Sequence, residues 1–189
     1  MSIPELRVTA TDLHGLYTVD LIVHDDSRGS FREAYQAAKL EALGLPPLGP
    51  VQWNISENLR PGIIRGIHAE PWDKYIHVPT GEVFAAVVDL RPDSKTFGQH
   101  QTFILHHANA LFISKGFGNS FQALKAPAVY CYLVNAHWQA GLKYPSIHYA
   151  DPDLAIAWPL KPGSDDVSGK DRQNPTLREA FPEKFSGEA

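Results

Sequence analysis

The sequence predicts an all-β fold, a sandwich or barrel with few and short helices. Two observations carry this. Apolar and polar residues alternate with period two over many short segments, and those segments are evenly spaced by turn residues. In order, strands are expected over 17–23, 74–78, 83–90, 100–105, 110–113, 120–124 and 128–134. Gly81, Gly98 and Gly116, with Pro92-Asp93-Ser94, mark turns between them. Helical periodicity is confined to 31–42, after Arg28-Gly29-Ser30, and to a short turn over 153–157. The segment 162–189 is rich in Pro, Ser, Gly and charge and is expected to lie as a tail over the outside of the same domain.

A chain of 189 residues is long enough for one sizeable core and too short for two full domains. Its 43% hydrophobic and 20% charged residues are ordinary for a globular protein. A net charge of −4, with no Lys/Arg run or aromatic stacking motif, disfavours nucleic-acid binding. The start Met1-Ser2-Ile3-Pro4-Glu5-Leu6 lacks the basic and apolar regions of a signal peptide, and no membrane span is expected. One cysteine, Cys131, has no internal disulfide partner, so a reducing cytoplasm is expected, with Cys131 as a small core residue.

The segment Arg65-Gly66-Ile67-His68-Ala69-Glu70, followed by Lys74, places two cations and an imidazole along what reads as one β-hairpin. Imidazole is the side chain best suited to remove a proton beside a ketone near neutral pH, and Arg and Lys can hold phosphate or an enolate oxygen. A structural His and solvated cations would give the same letters. A metal site is an alternative, because His68 and Glu70 alternate on one strand face as ligands of a β-sandwich metal enzyme do, but Asn119 stands where a later ligand His would be wanted. Nucleophilic catalysis has less support: Cys131 sits in an apolar run and no serine lies in a strand-turn-helix elbow. His106-His107 reads as an exposed turn.

Several blocks then occur in order with compatible gaps. They are Asp26-Ser27-Arg28-Gly29-Ser30-Phe31-Arg32-Glu33, Gln52-Trp53-Asn54, the run from Gly62 to His68, Gly81-Glu82-Val83-Phe84, Val88-Asp89-Leu90-Arg91, Thr96-Phe97-Gly98, the run from Asp151 to Pro159, and Ser168-Gly169-Lys170-Asp171. Over residues 15–178 the sequence resembles the dTDP-4-dehydrorhamnose 3,5-epimerase family. The resemblance implies a double-stranded β-helix (cupin-like jelly-roll) sandwich, a homodimer, and a nucleoside-diphosphate 4-keto-6-deoxy sugar as substrate. It implies no metal or organic cofactor.

Carried over by position, His68 is the general base, Asp171 its carboxylate partner, Tyr132 the acid on the opposite face and Lys74 the enolate stabiliser. Arg28, Arg65 and Lys170 match cations near the diphosphate, and Phe31, Glu33, Gln52 and Asn54 match nucleoside or phosphate contacts. Taken without the family, Phe31 would be a core plug and Glu33 an exposed helix residue. Four positions depart from the pattern: Asn119 replaces a His, Trp138 replaces a Tyr, and Ala69-Glu70 replaces an aromatic-Gln pair, so the sugar subsite is expected to differ. A catalytically idle nucleotide-sugar-binding module, or an accessory to a 4-keto sugar reductase, would share the binding positions. The retained His68, Asp171 and Tyr132 argue for catalysis at C3, C5 or both.

Overall fold

The computed structural model describes residues 5–186; the N-terminal run 1–4 and the end of the tail, 187–189, lie outside the described residues. The strands are β1 (Arg7–Ala10), β2 (Leu16–Asp20), β3 (His24–Asp26), β4 (Gly29–Phe31), β5 (Gln52–Asn58), β6 (Ile64–His68), β7 (Lys74–Asp89), β8 (His100–Leu105), β9 (Asn109–Ile113) and β10 (Phe117–Val134). The helices are short: α1 (Ala37–Ala42), α2 (Gly169–Arg172) and α3 (Leu177–Ala180), followed by a 3₁₀ turn at Pro182–Lys184. β3 and β4 form a separate two-stranded hairpin, and the other eight strands make one antiparallel array.

That array folds back on itself because two of its strands serve both halves. β7 and β10 pair along nearly their whole length, from Phe117 opposite Asp89 to Val134 opposite Lys74. In one half, Lys74 to His77 of β7 pair with β9, and Ala128 to Val134 of β10 pair with β5. In the other half, Val83 to Val88 pair with β8, and Asn119 to Gln122 pair with β6. The result is a jelly roll, the all-β class expected from the alternation.

Two expected strand pairs are therefore single bent strands: 74–78 joins 83–90, and 120–124 joins 128–134. Gly81 is not a turn between strands but the bend inside β7. Its φ is +78°, and a Cβ there would stand 2.4 Å from the Lys125 carbonyl oxygen and 2.7 Å from the Ala128 Cα, so only glycine fits. Facing it, the β10 register shifts three times between Ala123 and Cys131.

Side chains then sort by face. Ile76, Val78, Val83, Ala85 and Val87 of β7 meet Phe121, Ala123, Ala128 and Tyr130 of β10 in the sandwich interior. Tyr75 points the other way, into a layer with Leu40 of α1, Leu45 and Leu48. Val88 and Leu90 face a third cluster in which Leu177 and Phe181 of the tail are buried.

The expected helix over 31–42 shrinks to α1. Phe31 ends a strand, and the Arg32 guanidinium donates to the Pro79 carbonyl while Tyr35 packs edge-on against Tyr75 at 5.0 Å, which holds the intervening chain out of helical geometry. α1 starts only where the Gln36 side chain accepts from the Lys39 amide. The segments 7–10, 24–26, 29–31, 52–58 and 64–68 are strands that the alternation did not mark as such.

His77 lies buried beside Arg32, with its Nε2 3.3 Å from the His107 carbonyl oxygen. Burial, opposed by that carbonyl and reinforced by the Arg32 charge, pulls its pKa down to about 4. The unfolded chain takes up this proton near pH 6.5, so it holds more protons than the folded state between those values. Stability should fall by about 2 kcal/mol from this group as pH drops from 7 to 4.5. Urea melts at the two pH values should show that much less pH dependence in His77→Gln; an equal dependence would reject the assignment.

Candidate active site

The mouth of the sandwich interior is an open cavity of about 500 Å³. β6 supplies Arg65 and His68, β10 supplies Asn119, Phe121, Tyr130 and Tyr132, and Lys74 opens β7. β6 lies tight on β10: a Cβ on Gly66 would stand 2.5 Å from the Asn119 carbonyl oxygen and 2.7 Å from the Ser120 Cβ, and Gly66 has φ +109°. His68 is thereby set opposite Asn119 in the register.

The other edge of β6 is covered by chain returning from far along the sequence. Ile67 exchanges backbone hydrogen bonds with Ile147, the Ala69 amide donates to the Pro145 carbonyl, and the Ile64 amide donates to the Asp166 carbonyl. Ser168 then caps α2 by accepting from the Asp171 amide at 3.0 Å. This brings Asp171 Oδ1 to 2.7 Å from His68 Nε2, and the Gly66 amide donates to Asp171 Oδ2 at 3.3 Å. Asp171 is 4% exposed. Burial alone would raise its carboxyl, but the hydrogen bond and charge of His68, with the Gly66 amide and Ser168, reverse that and hold it below its ordinary value.

Lys74 is also buried, at 3% exposure, and makes a salt bridge with Glu70. Burial draws its pKa down, and the Glu70 carboxylate opposes this. Its Nζ lies 5.7 Å from the centroid of the Tyr132 ring. The Tyr132 phenol is pushed up to about 12, first by burial and then by the Glu70 and Tyr144 charges, with Arg65 pulling the other way. Tyr130 stacks on Phe121 at 4.0 Å and donates from its hydroxyl to Asn119 Oδ1 at 3.0 Å. Arg65 and Lys170 are exposed at the rim. The arrangement joins an imidazole backed by a carboxylate, a phenol that stays protonated, a buried ammonium and two outer cations.

The model of the dTDP-4-dehydrorhamnose 3,5-epimerase family matches residues 10–179. The chain belongs to this family. A protein of Streptococcus pyogenes serotype M6 named as an RmlC homolog is 38% identical over 180 residues, covering 92% of this chain and 90% of its own. A dTDP-4-dehydrorhamnose 3,5-epimerase of Streptomyces griseus is 39% identical over 162 residues, covering 82% and 78%. Among solved structures, RmlC from Streptococcus suis in complex with dTDP-D-xylose superposes with a TM-score of 0.86 at 37% identity, covering 94% of each chain.

Of the positions carried over from the epimerase family, His68, Asp171, Tyr132, Lys74, Arg65, Asn119 and Lys170 share the cavity. Arg65 and Lys74 do not share a hairpin, since β6 pairs with β10 and Lys74 reaches the cavity from β7. The other six do not line it. Arg28 pairs with Asp26, Glu33 pairs with Lys39, and Phe31 stands 70% exposed at the end of the β3–β4 hairpin. Asn54 lies opposite Tyr132 in the register, and Gln52 bonds both the Asn54 side chain and the Trp138 amide, so these two extend the same strand beyond the cavity. Trp138 is 55% exposed.

Tyr130, Ser56 and Arg60 line the cavity without having been assigned to it, and Glu70, marked from the sequence as a departure from the family pattern, lines it too. The alternation along β10 put Tyr130 on the face of Tyr132, which is the signal that could have found it. The Ser56 hydroxyl is buried there with no partner among the described residues. His68 and Glu70, the start of a metal-site reading, are engaged with Asp171 and Lys74, and among the described residues no three His, Cys, Asp or Glu side chains converge as ligands.

Gly66→Ala should destabilise the protein by about 2 kcal/mol or more, because the Cβ meets backbone at a positive φ. The urea midpoint measures this, and a midpoint within error of wild type would mean that β6 can move off β10.

Proposed function

We infer that the protein is an isomerase that inverts C3, C5 or both of a dTDP-linked 4-keto-6-deoxy sugar, in a dTDP-rhamnose type of deoxysugar synthesis. The observation that carries this is the His68–Asp171 pair at 2.7 Å in one cavity with Tyr132 and Lys74. The family membership supports it, as do relatives whose names state this activity.

A ketone at C4 acidifies the protons on the neighbouring carbons. Neutral His68 takes one, and the anionic Asp171 stabilises the imidazolium and holds the ring. The charge left on the carbonyl oxygen goes to the Lys74 ammonium, and the Tyr132 phenol returns a proton to the carbon from the opposite face. Arg65 and Lys170, exposed at the rim, hold the diphosphate. This is proton transfer alone and needs no metal or organic cofactor.

The reading includes a homodimer. β5 is an edge strand; Trp53 and Ile55 on it stand 64% and 55% exposed, and Val51 just before it 51%. Together with Phe31 and the apolar cavity of about 500 Å³ beneath it, lined by Trp53, Tyr75 and Leu133, they form a face that a second copy would cover. The cytoplasm is the compartment that suits the single buried Cys131. No helix among the described residues is long and apolar enough to cross a membrane.

Proton NMR of dTDP-4-keto-6-deoxyglucose in deuterated buffer tests the chemistry. Wild type should exchange the protons beside the ketone, and His68→Ala should slow exchange by about 10² to 10⁴. Tyr132→Phe should keep part of the exchange while yielding little inverted sugar. Equal exchange in wild type and His68→Ala would remove His68 as base, and full inversion by Tyr132→Phe would remove Tyr132 as acid. For assembly, sedimentation should show a dimer for wild type and a monomer for Trp53→Glu; a monomeric wild type would refute the dimer.

A further inference from the structure

Of the charged side chains lining the cavity, the reaction scheme leaves Glu70, Arg60, Asp165 and Asp166 unused; Arg60 pairs with Asp166, whereas Glu70 pairs with Lys74, which the scheme uses. Glu70 follows His68 by two residues, and Ala69 between them is buried in the outer cluster with Ile67 and Ile147, while both neighbours line the cavity. The loop to β7 is pinned: the Trp72 amide donates to the Glu70 carbonyl, and Asp73 bonds Lys115 and Asn135. This returns Lys74 to Glu70, and their side chains are 3% and 11% exposed. Among the described residues Glu70 is the only carboxylate paired with Lys74. An ammonium taken out of water without such a partner costs several kcal/mol and gives up its proton instead.

We propose that Glu70 is a positioning residue for the reaction: acting through Lys74, it keeps the buried ammonium charged and in place for the substrate oxygen that becomes negative as the proton leaves. The proposal deepens the epimerase reading and rests on it. Pairing also selects the ligand. With Glu70 ionised, this end of the cavity carries no net charge, so it does not hold a permanent anion. The diphosphate goes to Arg65 and Lys170, and Lys74 interacts most strongly with charge that appears only during reaction. The carboxylate also reinforces the burial that raises Tyr132 and Tyr130, so its loss would let the Tyr132 phenol ionise at lower pH. Among the described residues, the other titratable or charged groups of this cavity are Arg65 and His68 from β6, Arg60 from the loop before it, Asp165 and Asp166 from the chain before α2, and Lys170 and Asp171 from α2, with Tyr144 acting on Tyr132 from the loop after β10.

Glu70→Gln keeps the shape and removes the charge. Lys74 then loses its proton at lower pH, and so does Tyr132, and both losses move the alkaline limb of kcat the same way. The limb should fall by about one to three pH units. At pH 8, kcat should drop on the order of 10-fold or more, with KM nearly unchanged because the diphosphate contacts remain.

The ε-carbon NMR resonance of Lys74 in lysine-labelled protein reads the same change without turnover and should titrate at lower pH in the variant. If Glu70→Gln does not fold, Glu70→Asp serves: the shorter carboxylate should move limb and resonance part of the way. An unmoved limb together with an unmoved Lys74 titration overturns the proposal. A wild type with no solvent exchange overturns the epimerase reading, and the Lys74 titration then still decides whether Glu70 holds the ammonium.

Discussion

The close approach of β7 and β10 at their bend is the constraint on which the rest of the structure depends. Gly81 lies against the Lys125 carbonyl and the Ala128 Cα with no room for a side chain. Both strands change direction there and so belong to both halves of the sandwich. Without that bend, Asn119 and Phe121, before it on β10, would not face one cavity with Tyr130 and Tyr132, after it. β6 depends on the same frame, since among the described residues β10 is its one strand partner and it reaches close packing through Gly66. Backbone sterics at two glycines thus decide where the imidazole and the phenol stand.

Charge in the cavity follows burial. The groups suited to the chemistry, Asp171 and Lys74, are removed from water: His68, with the Gly66 amide and Ser168, favours the charged form of Asp171, and Glu70 opposes the burial that draws the Lys74 pKa down. Such pairs are weak evidence for stability, because desolvation offsets much of their attraction. In the proposed reaction their effect is on reactivity: a carboxylate held anionic supports an imidazolium, and a desolvated ammonium interacts strongly with a developing enolate. Arg65 and Lys170, left at the exposed rim, keep the solvation that suits a permanent anion such as a diphosphate. The segment 162–186, which composition marks as a tail over the outside, brings Asp171 in with it, anchored by Leu177 and Phe181 in the outer cluster.

Much of the fold was legible because alternation is a local property. His100–Leu105 appears as a strand with the bounds read from the sequence, and the β9 expectation misses by one residue. The missed strands have local reasons. β5 reads Gln52-Trp53-Asn54-Ile55-Ser56-Glu57-Asn58, with its apolar side exposed rather than buried. β6 is interrupted by a glycine that serves close packing. The helix expected from residue 31 fails because Arg32 and Tyr35 find partners on β7, 40 or more residues away.

By itself the sequence determined the all-β class and the order of blocks that identifies the family, and through that resemblance it nominated His68, Asp171, Tyr132 and Lys74 for the proposed reaction. The class follows from short-range periodicity, which one strand expresses without reference to another, and the residues of the reaction follow from the resemblance of those blocks to the family. Only the tertiary structure decided which groups meet. It set Asp171 against His68 across 103 positions and closed Glu70 on Lys74. It also left Arg28, Phe31 and Glu33 of the chain outside the cavity that Arg65 and Lys170 line. The reason is that pairing at long range is set by how two sheet halves pack and by which charges lose their water together, and neither quantity exists until the chain has folded.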